Sequence, residues 1–498
     1  MLPVFIMVGM NALAHGIDYH VSPSGDDLAS GERTSPWCSV ERANAASFEP
    51  GDRLLFEGGH TYPGTLTFDA HDSGAESRPF VVSSYGEGRA AIDGRTGSGV
   101  VADGCDYLKI ENINFTGAGR KNDNAGCGVH VRNAKGTTIA QIEVQGFRHC
   151  GVLVEGVQDC LIDSVHAHNN GSSGIQVGDE ELWSENVRIV RCIAENNPGN
   201  PANLTNHSGN GIVAGFVRGC TIEYCEAMNN GWDMPREGNG PVGIWAWNAD
   251  RVVIQHCISH DNKSPSDDGG GFDFDGGVTN SIMQYNLSYG NDGPGYLLCM
   301  FPYALPWKNN IIRYNISQND GKPGQHAGIR IYWLEGMSDA EIYNNTVYNE
   351  DGSAVGFYGK RMPGMRFRNN IFVSGGPSIE GACHEAHFEG NLYWRLKGAP
   401  FALDGHASLD AWSAATGQER VDNKIVGIWA DPQLVRPGMA SLANVEALSS
   451  LPEYKLNSDS PCIGAGLVMD ENGGRDFWGT PLPGDAKPSI GAYEVPQG

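Results

Sequence analysis

The stretch GIWAWNADRVVIQHCISHDN, residues 243–262, contains the pattern that decides the fold. It begins with a glycine, continues as an alternating strand, and then runs through a second apolar segment to an asparagine-containing turn. The pattern recurs through the middle of the chain with its glycines 23 to 37 residues apart. These glycines are Gly128, Gly151, Gly174, Gly211, Gly243, Gly271, Gly295, Gly328 and Gly356.

Repeats of 20–50 residues built from short strands are typical of solenoids. The repeats show no 3.6-residue periodicity, which excludes leucine-rich and helical repeats. A propeller blade would need ~40–45 residues and four strands, more than these spacings offer. The sequence therefore predicts an all-β parallel β-helix with one repeat per coil and ~4.8 Å between stacked strands.

Aligning the repeats predicts what fills the interior. One position in the second segment reads Cys192, Cys225, Cys257, Asn286, Asn315, Asn345 and Asn370. Stacked thiols pack as small apolar groups, and stacked amides can hydrogen-bond from coil to coil. We therefore expect the cysteines at this position to be buried and reduced. The sequence does not decide whether cysteines elsewhere, such as Cys105 and Cys127, form a disulfide.

Composition narrows the class of protein and its partners. The 498 residues include 68 glycines, with 19% charged and 40% hydrophobic residues, which excludes a disordered chain. The 34 Lys and Arg against 59 Asp and Glu give a net charge of −25. The negative electrostatic field of such a chain argues against nucleic acid as a partner. It also argues against a strongly anionic glycan, unless local cations or Ca²⁺ reverse the field at the binding site.

The two ends differ from the repeats. Residues 1–16 hold an apolar run ending near Ala12-Leu13-Ala14, which predicts a signal segment and a secreted or periplasmic protein, with a buried first strand as the alternative. No other stretch is long enough to span a membrane. We expect an N-terminal cap and first coils over 17–127, a central β-helix carrying the active groove over 128–400, and C-terminal coils and a cap over 401–498.

The repeats and the C-terminal tail together resemble a known group. The tail motifs are Asp431-Pro-Gln-Leu, Asp459-Ser-Pro-Cys-Ile-Gly-Ala-Gly and Ser489-Ile-Gly-Ala-Tyr-Glu. With the repeats they resemble the pectate-lyase-like superfamily of right-handed parallel β-helix proteins, in particular secreted bacterial members. The resemblance implies carbohydrate chemistry without fixing it, since the superfamily hosts lyases, hydrolases, epimerases and adhesins.

Alternation along the strands predicts an outward-facing ladder. The first and third residues after each repeat glycine are apolar and should face the core, so the second and fourth face solvent. Read coil by coil, the outward pairs are Val213/Gly215, Trp245/Trp247, Asp273/Asp275, Leu297/Cys299, Arg330/Tyr332 and Tyr358/Lys360. Exposed Trp245 and Trp247 would stack on sugar rings, unless long turns cover them.

The ladder also supplies candidate catalytic groups. Asp273 and Asp275 should have Cα atoms about 6–7 Å apart, which lets their carboxyls reach the separations used by glycosidases. Asp268, in the preceding turn, is a third candidate. The alternatives are an acidic turn or a Ca²⁺ site, for which Asp267 and Asp292 are the further ligands.

Several residues beyond the aspartates are predicted to bind substrate. Arg330 lies two coils from Asp273, about 10 Å along the axis, which suits a neighbouring sugar subsite better than an ion pair. The substrate-binding set predicted from the sequence is Trp245, Trp247, His326, Arg330, Tyr332, Tyr358 and Lys360.

Three functions remain open. The favoured one is a glycoside hydrolase that uses an Asp pair on a polysaccharide or oligosaccharide and requires no cofactor. The second is a Ca²⁺-assisted lyase, in which Asp267, Asp268 and Asp292 resemble the calcium aspartates of pectate lyases and Arg330 or Lys360 serves as the base or neutralises the enolate. The third is a glycan-binding β-helix without catalysis. Nucleic acid and membrane partners are not expected, and the oligomeric state stays open.

Overall fold

The computed structural model describes residues 16–178, 182–322, 327–332, 336–359, 363–382, 385–484 and 486–496. Over these residues the chain winds into coils, and a coil contributes one strand to each of three long parallel sheets, which we call sheets A, B and C. Within a coil the order is B, A, C, and each strand pairs with its counterpart one coil away. The predicted all-β parallel β-helix is confirmed.

The strands of sheet A are Asp18–Val21, Arg53–Glu57, Phe80–Tyr85, Leu108–Glu111, Thr138–Ala140, Gln158–Asp163, Ser184–Val190, Val217–Glu223, Asp250–Gln255, Ile282–Gln284, Asn310–Arg313, Ala340–Tyr343, Met365–Arg368 and His387–Glu389. The strands of sheet B are Leu66–Asp69, Val100–Asp103, Val129–Arg132, Cys150–Glu155, Ser173–Val177, Asn210–Gly215, Val242–Trp247, Gly270–Phe274, Tyr296–Cys299, Ile329–Tyr332, Val355–Tyr358 and Ile379–Glu380. The strands of sheet C are Thr61–Pro63, Ala91–Arg95, Asn114–Gly117, Glu143–Gln145, His166–His168, Ile193–Glu195, Glu226–Met228, Ile258–His260, Leu287–Tyr289, Ile316–Gln318, Thr346–Asn349, Ile371–Ser374, Leu392–Arg395 and Ile428–Trp429.

The remaining regular elements are short and lie mostly at the ends. The described α-helices are Val40–Asn44 and Leu409–Thr416, the 3₁₀ segments are Ala70–Asp72, Leu396–Gly398 and Val445–Ser450, and Arg420–Val421 pairs antiparallel with Lys424–Ile425. None of the described helices is long and apolar enough to cross a membrane. After the last strand the chain runs back along the solenoid, where Tyr454 Oη donates to Gln318 and Tyr285 Oη to the Arg475 carbonyl.

The second segment of each repeat is two strands rather than one. It bends at a residue in left-handed conformation, such as Tyr224 (φ 54°) or His256 (φ 52°), which turns the chain from sheet A into sheet C. The aligned cysteines and asparagines lie just after this corner and point inward. Because a strand cannot continue through positive φ, the corner divides what the sequence pattern presents as one strand.

The aligned cysteine and asparagine side chains form the hydrogen-bonded ladder that the alignment predicts. The backbone N–H and Nδ2 of Asn286 both donate to Oδ1 of Asn315, one coil on, each at 3.0 Å. The first ladder, buried throughout, comprises Cys192, Cys225, Cys257, Asn286, Asn315, Asn345, Asn370, Asn391 and Glu419. The eleven described cysteines are free, so the disulfide considered between Cys105 and Cys127 is absent.

A second ladder runs through the turns that connect sheet C to sheet B. Its members are Asn170, Asn197, Asn230, Asn262, Asn291 and Asp320. In both ladders the donors point towards the C-terminal coils, and a carboxylate accepts from the last asparagine. Asp320 accepts from Asn291 Nδ2 at 2.8 Å, and Glu419 accepts from Asn391 Nδ2 at 2.8 Å.

Candidate functional site

The outer face of sheet B carries a cleft of 510 Å³, the size range of ligand sites. The turns that lead from sheet C into sheet B are long before the strands Asn210–Gly215, Val242–Trp247 and Gly270–Phe274. They rise beside the sheet and form one wall of the cleft. Its lining includes His149, Ser172, Gln176, Asn203, Asn206, His207, Asn210, Asn239, Trp245, Trp247, Asp275 and Phe301.

The outward ladder is present over the central coils. Trp245 pairs in register with Val213 and with Asp273, and Asp273 pairs with Leu297. The predicted core residues Ile244, Phe272 and Ile329 are fully buried on the opposite face. Alternation along the strands therefore predicts the inward and outward sides correctly in these coils.

Trp245 faces out from the sheet but is only 5% exposed, so its prediction as a solvent-facing platform is wrong. The wall turns cover it. Its Nε1 donates to Oδ1 of Asn210 at 3.1 Å, and the His207 ring lies 5.2 Å from its own. Trp245 therefore forms the packed floor of the cleft.

Trp247 is partly exposed and remains available to a ligand. Its ring stacks on Trp245 at 6.5 Å, and Phe216 meets it edge-on at 4.7 Å. A Cβ at Gly215, one coil below, would lie 2.3 Å from Nε1 of Trp247, so only glycine allows the ring to lie over that strand. The neighbouring aromatic rings fix the orientation that Trp247 presents to the cleft.

Asp273 is buried rather than exposed, contrary to the ladder prediction. It is 2% exposed, and Trp245 and Leu297 flank it in register on the coils to either side. Its Oδ1 has no hydrogen-bond partner among the described residues. Burial, with Asp275 and Asp268 nearby, raises the pKa of Asp273 well above its usual range and so favours the protonated carboxyl.

Asp275 lies one residue beyond the strand and lines the cleft. Its backbone N–H donates to the Ala246 carbonyl at 2.9 Å, and its Oδ1 accepts from the Gly276 N–H at 2.7 Å. Burial raises the pKa of Asp275, while the Gly276 N–H and the Cys299 thiol oppose that rise by hydrogen bonding. These two donors favour the ionised carboxylate at the cleft surface.

Asp268 lies in the turn that joins the wall to the same strand. The Gly240 N–H donates to its Oδ2 at 2.6 Å, which ties the carboxyl to the neighbouring wall turn. Burial raises the pKa of Asp268 to about 6, with repulsion from Asp267 and Asp275 adding to it and Arg330 opposing it. Asp268, Asp273 and Asp275 therefore form one electrostatically coupled cluster.

The last coil of the predicted ladder is two residues out of register. Gly356, not Tyr358, pairs with Arg330, and Tyr358 pairs with Tyr332. A Cβ at Gly356 would lie 3.3 Å from Cδ of Arg330, so the arginine crosses the bare strand there. The Tyr332 and Tyr358 rings stack at 4.8 Å with 3° between their planes, both exposed, and His326 and Lys360 lie outside the described residues.

Of the residues proposed as calcium ligands, Asp292 is paired with two lysines. The Lys322 ammonium lies 2.9 Å from Oδ2 of Asp292, and Lys263 lies 3.7 Å from its Oδ1. The two ammonium groups neutralise the Asp292 carboxylate, and Asp267 is solvent-exposed. Within the described ranges no group of three or more His, Cys, Asp or Glu is placed to hold a metal ion.

Sequence reasoning missed several residues of the cleft. His149, Gln176 and Asn210 come from earlier coils, and His207 comes from the wall turn. Burial lowers the pKa of His207 to about 4, so the ring is neutral beside Trp245. The position of Gln176 on the outward ladder was readable from the repeat at Gly174, but the path of a long turn is not encoded in strand alternation.

A parallel β-helix with a polar, aromatic-lined cleft on one sheet defines the class of this protein. The model of the Pel9A-like right-handed beta helix region matches residues 19–322, which is more than half of the chain. The chain belongs to this family. No curated protein matches it significantly in sequence.

Solved structures share the fold at low sequence identity. A GH136 lacto-N-biosidase from Eubacterium ramulus is 18% identical with a TM-score of 0.53, covering 74% of this chain and 67% of that one. A mannuronic acid specific family 6 polysaccharide lyase from human gut microbiota is 13% identical with a TM-score of 0.54, covering 83% and 91%. The Dettilon tailspike protein is 15% identical with a TM-score of 0.51, covering 74% and 70%. At these identities the likeness establishes the fold alone.

Proposed function

We propose that the protein is a glycoside hydrolase acting on an uncharged glycan, with Asp268 as general acid and Asp275 as base or nucleophile. The observation that carries the proposal is the coupled carboxylate cluster at the edge of an aromatic-floored cleft. Such clusters separate the pKa values of neighbouring carboxyls, which is what paired acid and base roles require. Glycosidases of either stereochemistry use two carboxyl groups.

The environments of the two residues suggest their roles. Asp268, with a pKa of about 6, keeps its proton in mildly acidic solution and can give it to a leaving-group oxygen. Burial also raises the pKa of Asp275, but hydrogen bonds from the Gly276 N–H and the Cys299 thiol oppose that rise and stabilise its anion, whereas Oδ1 of Asp273 has no partner among the described residues. Asp273 is buried, and its raised pKa favours an uncharged carboxyl in the same cluster.

The cleft lining favours a neutral sugar. Among the described residues that line it there is no lysine or arginine, and the polar lining consists mainly of amides, hydroxyls and neutral imidazoles. A uronate carboxylate in this lining would have no lysine or arginine to pair with, since Arg330 lies outside it, further along the solenoid axis, and the net protein charge is −25. Amide and hydroxyl groups instead match sugar hydroxyls.

Aromatic side chains lie on both sides of the carboxylates along the solenoid axis. Trp247 is one coil before Asp275, and the stacked Tyr332 and Tyr358 begin two coils after it. With ~4.8 Å per coil, these platforms span several sugar units. A glycan chain lying along the axis would place its scissile bond beside Asp268 and Asp275.

The test is cleavage of a panel of neutral and uronate-containing glycans by the wild type and by Asp268→Asn and Asp275→Asn. We expect new reducing ends without the ultraviolet absorbance of an unsaturated sugar, and no loss of rate in EDTA. Asp275→Asn should lose at least ~100-fold in rate. Asp268→Asn should lose as much on natural linkages but keep activity on glycosides whose leaving group needs no protonation.

Asp261→Asn is the matched control, since this exposed carboxylate pairs with His260 on the same coil, away from the cleft. It should retain the wild-type rate. Full activity in both cleft variants would refute the assignment. An unsaturated, EDTA-sensitive product would establish a lyase instead, and binding without turnover of any glycan would establish a non-catalytic protein.

A further inference from the structure

A second concavity lies on another flank of the solenoid, at the corner between sheets A and C. Its volume is 390 Å³, and it is bounded on one side by the C-terminal segment that runs back along the coils. Its lining includes Arg191, Ile193, Tyr224, Glu226, Asn444 and Glu446. The residues of the sheet B cleft are all different, so this flank groove is a separate place on the molecule.

Tyr224 provides the groove with a fixed aromatic surface. It is 42% exposed, and one face of its ring stacks on His256 at 5.1 Å with 6° between the planes. His256 in turn stacks on Tyr285 at 5.1 Å. Tyr224 therefore loses little conformational freedom when a flat apolar group packs on it.

The stack is fixed further by the C-terminal segment. The Arg475 guanidinium lies 3.1 Å from Nε2 of His256 and 5.1 Å above the Tyr285 ring. Arg475 can only donate, so Nε2 of His256 accepts and the ring is uncharged. Burial likewise lowers the pKa of His256 to about 4. The groove's platform thus stays assembled at neutral pH.

Polar groups of both kinds surround the ring. Glu226 is 6% exposed, and its Oε1 receives a hydrogen bond from His260 at 3.2 Å. Asn444 and Glu446 approach from the C-terminal segment, and Arg191 is paired with Asp163. An exposed ring flanked by carboxylates and an amide offers a surface for C–H groups and partners for hydroxyls.

We propose that the flank groove binds a neutral sugar unit of a glycan, as a binding site separate from the sheet B cleft. The sugar's apolar face packs on Tyr224, and its hydroxyls bond to Glu226, Asn444 and Glu446. An anionic ligand would meet two carboxylates here against one arginine that is already paired. An apolar peptide would cover the Glu226 carboxylate without offering it a hydrogen-bond donor.

The experiment measures retardation in native gels containing neutral polysaccharides (galactomannan, xyloglucan or mixed-linkage β-glucan), using protein carrying Asp275→Asn so that nothing is cleaved. Trp247→Ala is added to weaken the sheet B cleft. We expect this protein to be retarded by at least one of these glycans. Tyr224→Ala should lower its affinity at least ~10-fold, whereas Tyr224→Phe, which keeps the ring, should bind normally.

Thermal unfolding and turnover of a short soluble substrate by otherwise wild-type Tyr224→Ala serve as controls, and both should be unchanged. Equal retardation with and without Tyr224, or retardation by none of the three glycans, would overturn the proposal. Because turnover is measured apart from retardation, failure of the flank groove leaves the hydrolase assignment standing, and the reverse also holds.

Discussion

Replacing Asn315 with alanine should destabilise the solenoid by about 4 kcal/mol. Its Nδ2 donates to the Met283 carbonyl at 2.9 Å and to Oδ1 of Asn345 at 3.0 Å. Its Oδ1 accepts from the N–H and the Nδ2 of Asn286, each at 3.0 Å. The residue is fully buried, so water cannot replace these four bonds, and each contributes ~1 kcal/mol.

Asn315→Asp separates the lost hydrogen bonds from the lost volume. The two side chains have nearly the same shape, but an aspartate has no donor for the Met283 carbonyl or for Asn345. At pH 7 this variant should lose at least as much stability as alanine. Because burial raises the pKa of such a carboxyl, the folded state holds its proton more tightly, and part of the stability should return as the pH is lowered.

The assay is urea unfolding followed by circular dichroism, at pH 7 and at pH 5. Asn309→Gly is the control, since its exposed Nδ2 makes one bond to Asn280 at 3.1 Å and its left-handed backbone (φ 57°) accommodates glycine without strain, and it should change stability by less than ~0.5 kcal/mol. A loss below ~1 kcal/mol for Asn315→Ala would refute the view that the ladder stabilises the coils. An unchanged pH dependence in Asn315→Asp would refute the donor argument.

Two further predictions follow from the titrating carboxyls. Burial raises the pKa of Glu419 from 4.5 to about 7, which corresponds to ~3 kcal/mol of folding stability that is present below pH 4.5 and is lost as the pH rises through 7. Glu419→Gln should flatten this dependence of the unfolding free energy on pH, measured by urea unfolding. An unaltered pH dependence would contradict the assignment. Arg330 lowers the pKa of Asp268, so Arg330→Met should move the alkaline limb of the rate–pH profile to higher pH, and a shift to lower pH would contradict the acid role of Asp268.

The sequence is informative wherever a local rule repeats from coil to coil. Alternation after the repeat glycine correctly predicts that Ile244 and Phe272 face inward, and the aligned Cys and Asn positions predict a buried ladder. The alignment fails at Gly356, because the residue in register with Gly328 is an alanine, Ala354, and the glycine lies two residues further along the strand. A register error of two residues keeps the correct face but assigns the wrong neighbours.

The candidate site is harder to predict from the sequence than the fold, since its shape depends on the turns rather than on the strands. Alternation places Trp245 and Asp273 on the outer face, but the wall turns that cover them vary in length and follow no period. Gly240 reaches Asp268 and His207 reaches Trp245 only because those turns fold back over the sheet. The exposure of an outward residue therefore cannot be derived from its place in the repeat.

The direction of the asparagine ladders limits where this architecture can gain or lose a repeat. A duplicated internal coil brings its own asparagine, which accepts from the coil before it and donates to the one after, so the row lengthens without an unpaired group. Asp320 already shows what happens after such an end: three more sheet B strands follow it, and Asn349 of the next coil donates to its backbone carbonyl instead of extending the side-chain row. A coil added after Glu419 would likewise meet a side chain whose ionised form accepts from Asn391 and donates nothing onward. Insertions should therefore lengthen a ladder only in its interior, whereas coils added after its carboxylate need other contacts to hold them.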